Sequence, residues 1–211
     1  MESSTEYIKF FAALLAIVNP VGAIPIFINL TSGLNEIERK GVCRISALAT
    51  GLILVVVLFT GEMVLRFFGI TIASFRVGGG ILILLMSLSM LHAQISRVRQ
   101  TKEEALASEE RDSIAVVPLA TPLLAGPGAI STVILYAQRQ STVGYYLILA
   151  SEIALLALLI WFLFRLAPFI ANLLGTTGIN VVTRLMGLVM AAVGVEFIAN
   201  GLRQLFPVLA G

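Results

Sequence analysis

Three ionisable side chains lie inside apolar stretches of this sequence, where a charge is costly and usually functional. Glu196, in VGVEFIANG, is the most deeply placed, and Arg76 and Arg184 each stand near the start of such a stretch. The carboxylate could take up a proton or bind an ammonium group; its structural role would be a bond to another helix. Each arginine could pair with that carboxylate, with a substrate or with a lipid headgroup, or anchor its helix at the interface.

Two proline-rich motifs offer backbone groups for binding. NPVGAIP (Asn19 to Pro25) and TPLLAGPG (Thr121 to Gly128) both lie within apolar stretches. A proline lacks an N–H and obstructs the carbonyl four residues earlier, so both motifs are expected to break a helix and free several backbone groups. Freed amides at the start of a half-helix favour a carboxylate. Freed carbonyls, with the side chains of Asn19 and Thr121, suit an ammonium group or a cation.

Ordinary proline kinks are the alternative, but the motif is duplicated. The Pro-x4-Pro spacing at Pro20 recurs at Pro122, 102 residues later, and RVGG from Arg76 recurs as RLMG from Arg184, 108 residues later. Two matches in the same order indicate two copies of a three-helix unit. Because three is odd, the second copy would enter the membrane from the opposite face, as in the inverted repeats of secondary transporters.

Composition places these motifs in a multi-pass helical membrane protein. Of 211 residues, 58% are hydrophobic and 12% are charged, with a mean hydropathy of +1.00, which leaves no room for a soluble domain. One cysteine excludes an internal disulfide, and a net charge of +2 gives no reason to expect a nucleic-acid partner. The six predicted spans cover residues 7–30, 42–68, 70–92, 114–136, 143–171 and 179–206.

We therefore predict one transmembrane domain over residues 1–211, all-α, with helices 1 and 4 broken. The first three-helix repeat covers residues 1–100, the second covers 110–211, and the hydrophilic stretch 94–113 is a connector. Nine basic residues lie on the side of this connector and five on the other. The excess predicts a cytoplasmic connector and periplasmic termini.

Motifs for soluble chemistry are missing from the sequence. It has no Walker motif, HExxH, nucleophile elbow or cluster of metal ligands. We therefore expect no cofactor, no metal and no catalytic residues, and we expect any active transport to use protons or another coupling ion.

Four motifs in order make the chain resemble the MarC family, also called UPF0056, of six-helix bacterial inner-membrane proteins. They are FAALLAIVNPVGAIPIF, FRVGGGILILL, VPLATPLLAGPGAIST and GINVVTRLMGL. The family is related to amino-acid exporters, and one branch is described as transporting small neutral amino acids such as glycine and alanine. The residues that match the family's repeated broken-helix motifs are Asn19, Pro20, Gly22, Pro25, Pro122, Gly126, Pro127 and Gly128.

The resulting hypothesis is a secondary transporter of a small zwitterionic amino acid, working by alternating access. Backbone near Gly22, Ala23, Gly126 and Gly128 is expected to bind the substrate carboxylate, and Glu196 is the candidate for coupling or ammonium contact. The alternatives are an exporter of another metabolite or drug, a non-transporting scaffold, and a membrane enzyme acting on a lipid phosphate. The enzyme would need a convergent cluster of acids, bases or arginines at the broken segments, and the sequence offers only dispersed candidates: Glu62, Arg76, Glu152, Arg184 and Glu196.

Small residues line one face of the last predicted span. Gly187, Gly194 and Gly201 recur every seven residues, and such a face lets another helix approach closely. It suits either packing within the chain or contact with a second copy in a homo-oligomer.

Overall fold

The computed structural model describes residues 2–91, 119–120 and 124–210, and every regular element in them is helical. The connector predicted at 94–113, together with Thr121 and Pro122, lies outside the described residues. The helices are α1 Glu2–Val18, α2 Pro20–Leu30, α3 Glu36–Phe67, α4 Ile72–Leu91, α5 Pro127–Ala137, α6 Val143–Gly175 and α7 Thr177–Leu205, followed by a 3-10 turn at Pro207–Ala210.

Five stretches of the described residues are long and apolar enough to cross a membrane. They are Thr5–Ile28, which joins α1 and α2, and the helices α3, α4, α6 and α7. The fourth predicted span, residues 114–136, is described mainly in its second half, where α5 is apolar but only 11 residues long. The all-α membrane fold class is therefore confirmed.

A capping box starts α3 in the gap between the predicted spans 7–30 and 42–68. The Asn35 side chain accepts a hydrogen bond from the Glu38 N–H at 3.0 Å, and the Glu38 carboxylate accepts one from the Asn35 N–H at 3.1 Å. The reciprocal pair satisfies two amides that the helix itself cannot. With 32 residues, α3 is about 48 Å long, so it extends beyond a hydrocarbon core of about 30 Å into the headgroup regions.

The chain turns between α6 and α7 at Gly175, in the gap between the predicted spans 143–171 and 179–206. Gly175 has φ 61° and ψ −178°, a backbone conformation that glycine adopts without steric cost. Upstream, α6 runs antiparallel to α3, because Tyr146 near its start stacks on Phe59 near the end of α3, with ring centroids 5.6 Å apart. The two helices remain close along their length, and a Cβ built on Gly51 would lie 3.0 Å from Ala157 Cβ.

The glycine face of α7 packs against α4 inside the molecule. A Cβ on Gly201 would lie 2.8 Å from the Ala73 carbonyl oxygen at the start of α4, and one on Gly187 would lie 3.1 Å from Met90 Cβ near its end. The two helices are therefore antiparallel, with backbones in direct contact. Of the two roles expected for these glycines, packing within the chain is the one that the structure shows.

Contacts between distant segments show which helix ends share a side of the molecule. Glu6 near the start of α1 forms an ion pair with Arg139, just after α5, at 2.8 Å, and this hydrogen bond raises the pKa of the Arg139 guanidinium. At the opposite end, Arg39 in α3 donates to the carbonyls of Thr31 at 3.4 Å and Leu34 at 3.2 Å, beyond α2. Consequently α2 and α5 start in the interior and run towards opposite sides.

Candidate functional site

In the first broken segment, one residue, Asn19, ends α1 and begins α2. Its N–H donates to the Leu15 carbonyl at 2.9 Å, which closes the last turn of α1, and its carbonyl accepts from the Ala23 N–H at 3.2 Å, which opens α2. The Asn19 side-chain oxygen also accepts a hydrogen bond from the Gly22 N–H at 3.1 Å. Asn19 is thus the N-cap of α2, and Pro20 occupies the first helical position, where its missing N–H does not matter.

One expectation about this segment was wrong. Pro25 does not break the helix but lies inside α2, where it removes only the bond that its own N–H would have given to the Val21 carbonyl. At the break itself, Asn19 satisfies the Leu15 carbonyl and the amides of Gly22 and Ala23. Pro20, Gly22, Ala23 and Pro25 are all buried.

The second broken segment has the same design without the cap. Gly126 precedes α5 in an extended conformation (φ −74°, ψ 175°), Pro127 is the first helical residue, and no side chain among the described residues caps the helix. The amides that such a cap would satisfy belong to Gly128 and Ala129. The start of α5 is therefore better suited than that of α2 to receive an anionic group.

Pro127 corresponds to Pro20 by position in a helix. Both residues open an 11-residue half-helix, and they lie 107 residues apart, close to the 108 that separate Arg76 from Arg184. The expected pairing of Pro20 with Pro122 stays a prediction, because Pro122 lies outside the described residues.

Each broken segment contacts the long helix that closes the other half of the chain. The Asn19 amide group lies 3.7 Å from the Met186 sulfur in α7. In α4, a Cβ built on Gly79 would lie 2.5 Å from Pro127 Cβ. Met186 and Gly79 belong to the repeated motifs RLMG and RVGG. RVGG and RLMG therefore form the surfaces against which the broken segments pack.

A small cavity lies where the end of α1 meets the start of α5. A Cβ on Gly128 would lie 2.9 Å from the Ile17 side chain at the end of α1 and 3.4 Å from Phe197 in α7. The cavity has a volume of about 10 Å³ and is lined by Ile17, Leu82, Ile83, Met86, Leu124, Gly126, Pro127, Gly128, Ala129 and Met190. Such a space holds about one water molecule, so it is too small for an amino acid in this conformation.

The charged candidates lie apart from this cavity. Glu196 is exposed, and its carboxylate accepts a hydrogen bond from the Asn200 amide at 2.7 Å on the same helix. Arg76 is half-buried and Arg184 is exposed, and within the described part of the chain neither forms an ion pair. The expected pairing of an arginine with Glu196 is not seen.

The two remaining carboxylates of the enzyme alternative are also separate. Glu62 pairs with Arg66 one turn later in α3, and one oxygen of Glu152 in α6 is buried without a hydrogen-bond partner in the described structure. Among the described residues, the five dispersed charges therefore form no contact with one another.

Two buried hydroxyl groups near the cavity were not predicted. Ser131 and Thr132 both donate to the Gly128 carbonyl, at 3.1 Å and 2.9 Å. The sequence signal was present, because IST directly follows GPGA, and hydroxyls at these positions can reach a carbonyl one turn earlier in a helix. They fix the first turn of α5.

Comparisons with known proteins agree on one family. The model described as "MarC family integral membrane protein" matches residues 4–206. UPF0056 membrane protein YhcE of Escherichia coli is 45% identical over 201 residues, which is 95% of this chain and 94% of the relative. UPF0056 membrane protein YvbG of Bacillus subtilis is 39% identical over 203 residues, or 96% of each chain. A UPF0056 membrane protein of Methanocaldococcus jannaschii is 40% identical over 200 residues, or 93% of this chain and 96% of the relative. No solved structure matches.

Proposed function

Because the chain belongs to the MarC family of integral membrane proteins, we propose that it is a secondary transporter that moves small neutral amino acids by alternating access. The observation that carries the proposal is the start of α5. It is a half-helix N-terminus in the interior of the bundle, without a side-chain cap, at the edge of a cavity. In a membrane such an end attracts a carboxylate, since its amides and the helix dipole both favour negative charge.

The small size of the cavity fits a closed state of such a cycle. Its walls include Met86 and Met190, whose unbranched side chains can change rotamer with little cost. Opening requires that α4 and α7 move away from the broken segments, to which they are joined by the Gly79–Pro127 and Asn19–Met186 contacts. Glycine and alanine are the substrates that need the least additional space.

The substrate carboxylate is assigned to the amides of Gly128 and Ala129. The ammonium group is assigned to carbonyl groups at the breaks, with Thr121 as a further candidate ligand. Glu196 stays the candidate for proton coupling, although its distance from the cavity means that any coupling acts through movement of α7. Phe197, the next residue, contacts Gly128 and gives that movement a direct path to the site.

The other function classes have less support. A lipid-phosphate enzyme needs a convergent group of acids, bases or arginines, and the charges of the described residues are dispersed. A passive scaffold gives no role to an uncapped helix end beside a cavity. Export of a bulkier metabolite would need a larger opening of the same site.

Uptake by reconstituted protein tests the proposal. Purified protein in liposomes is given labelled glycine or alanine, with and without an imposed proton gradient, and compared with Gly128→Leu and Gly78→Leu. The leucine at 128 would collide with Ile17, whereas a Cβ at Gly78, in α4, meets no atom within 4 Å. We expect saturable uptake by the wild type and Gly78→Leu, and a loss of at least tenfold in Gly128→Leu.

A Glu196→Gln variant separates coupling from binding in the same assay. Loss of the gradient dependence alone would assign the carboxylate to proton coupling, and unchanged transport would remove it from the mechanism. If folded wild-type protein takes up neither amino acid in either condition, the glycine and alanine assignment is wrong. Equal uptake by Gly128→Leu and the wild type would place the site elsewhere.

A further inference from the structure

A second, larger cavity shares no lining residue with the first and lies between the start of α3 and the last turns of α6. It is an open groove of about 580 Å³, well within the size range of ligand pockets. Its polar wall carries three cations, Arg39, Lys40 and Arg165, against one carboxylate, Glu36. The groove therefore has a net positive charge and has no part in the transport site proposed above.

Apolar residues also line the groove. They are Phe164, Pro168 and Phe169, of which Phe169 is 69% exposed and Phe164 is buried. Ile37, in the first turn of α3 beside the groove, is 82% exposed. A site with both cationic and apolar residues fits an amphiphile with an anionic head.

The depth of the groove agrees with the same ligand. It spans the first two turns of α3, and α3 is longer than the hydrocarbon core by about 18 Å. Since α6 runs antiparallel to α3, Arg165 comes level with this part of α3. The cations therefore lie at the depth of lipid phosphates.

Two of the cations are held in place and still have donors to offer. Both hydrogen bonds that Arg39 makes to the connector carbonyls come from the same nitrogen, Nη2, which leaves the other N–H groups of the guanidinium for a ligand. Arg165 lies over the Trp161 ring, with its central carbon 5.6 Å from the ring centroid. This cation–π contact orients the guanidinium without using its hydrogen bonds.

We propose that this groove binds the phosphate group of an anionic lipid, with Lys40, Arg165 and Arg39 as its ligands. Lys40 exchanges its ion pair with Glu36 for the phosphate. Because the phosphate could also come from a soluble anion, the test compares both sources.

The chain contains its own reporters for this test. Trp161 is the only tryptophan and Cys43, which lines the groove, the only cysteine. Detergent-solubilised protein is titrated with dihexanoyl phosphatidic acid, with inorganic phosphate and with zwitterionic dihexanoyl phosphatidylcholine. Trp161 fluorescence reports the surroundings of Arg165, and the rate at which N-ethylmaleimide alkylates Cys43 reports occupation of the groove.

We expect saturable responses to phosphatidic acid in both signals and a weaker response to phosphatidylcholine. Lys40→Gln should weaken phosphatidic acid binding about fivefold, the usual contribution of one basic residue at a membrane surface. Arg44→Gln is the matched control, because Arg44 is an exposed cation on the same helix that does not line the groove, and it should bind like the wild type. For Arg165→Gln, binding is measured by alkylation of Cys43, because this substitution itself changes the fluorescence of Trp161.

The comparison of ligands identifies the source of the phosphate. Tighter binding of phosphatidic acid than of inorganic phosphate supports the lipid, and equal binding supports a phosphate site that a soluble anion fills. The proposal is overturned if neither ligand gives a saturable response, or if Lys40→Gln and Arg44→Gln lower affinity equally. None of these outcomes depends on whether the protein transports amino acids.

Discussion

Position 19 has two structural requirements, and few residue types meet both. Its φ of 45° is in the left-handed region that disfavours residues other than glycine, asparagine and aspartate, and its side chain caps α2. We expect Asn19→Ala to lower the free energy of unfolding by about 1 kcal/mol or more, and Asn19→Gly, which tolerates the φ angle, by only a few tenths. For a chain of this size, the unfolding temperature of the alanine variant should be about 2–4 °C below that of the wild type.

Thermal unfolding of the detergent-solubilised variants, followed by circular dichroism, measures this difference. If Asn19→Ala and Asn19→Gly unfold at the same temperature, the backbone angle makes no contribution to stability. An alanine variant as stable as the wild type would show that the cap is dispensable.

At the residue scale, the sequence predicted where the first break lies but not how it is built. An asparagine followed by a proline is a recognisable helix start, so the capping role could have been predicted from Asn19 and Pro20 alone. The contact of Asn19 with Met186 could not, because it joins residues 167 positions apart and depends on how α7 packs. The exposure of Glu196 depends on that packing as well.

At the scale of helices, the α4–α7 interface depends on glycines at which the backbones touch. A Cβ on Gly80 would lie 2.7 Å from the Gly194 carbonyl oxygen, an atom that cannot move without its helix, whereas Gly78 has open space. Gly80→Ala should therefore destabilise the protein by about 1–3 kcal/mol. Gly78→Ala should leave stability unchanged or raise it by up to about 1 kcal/mol, because alanine favours a helix.

The two variants differ by two positions in one helix, so their unfolding midpoints form a matched comparison. A Gly80→Ala midpoint equal to that of Gly78→Ala would mean that α4 and α7 are not in backbone contact.

Hydropathy predicted the helices well, and local rules explain where the prediction of the breaks went wrong. Of the four prolines in the two motifs, Pro20 and Pro127 begin helices and Pro25 does not. The residues before the first two are Asn19 and Gly126, both favoured as N-caps, whereas Ile24 cannot cap. The residue before each proline would thus have identified the helix starts, but the small size of the cavity depends on contacts between distant helices.

At the scale of the molecule, the arrangement of helices agrees with the predicted inverted repeat. α2 and α5 open with a proline in the interior and run in opposite directions, and α4 and α7, which carry RVGG and RLMG, are antiparallel. A two-fold axis in the membrane plane relates elements in this way. The repeat boundaries, residues 1–100 and 110–211, stay a prediction because the connector lies outside the described residues.

Orientation in the membrane is the prediction that belongs to the whole molecule. In a Cys43→Ala background, Ser32→Cys lies between α2 and α3, and Ser141→Cys lies between α5 and α6; both positions are exposed and on opposite sides. In intact bacterial cells, we expect a membrane-impermeant maleimide to label Ser141→Cys at once and Ser32→Cys only after permeabilisation, since the basic excess lies on the side of residue 32. The reverse pattern would invert the predicted topology, and equal labelling would contradict the fold. Since the cationic groove between α3 and α6 shares the side of residue 32, the expected result also places it in the cytoplasmic leaflet, where anionic lipids give the membrane its negative surface potential.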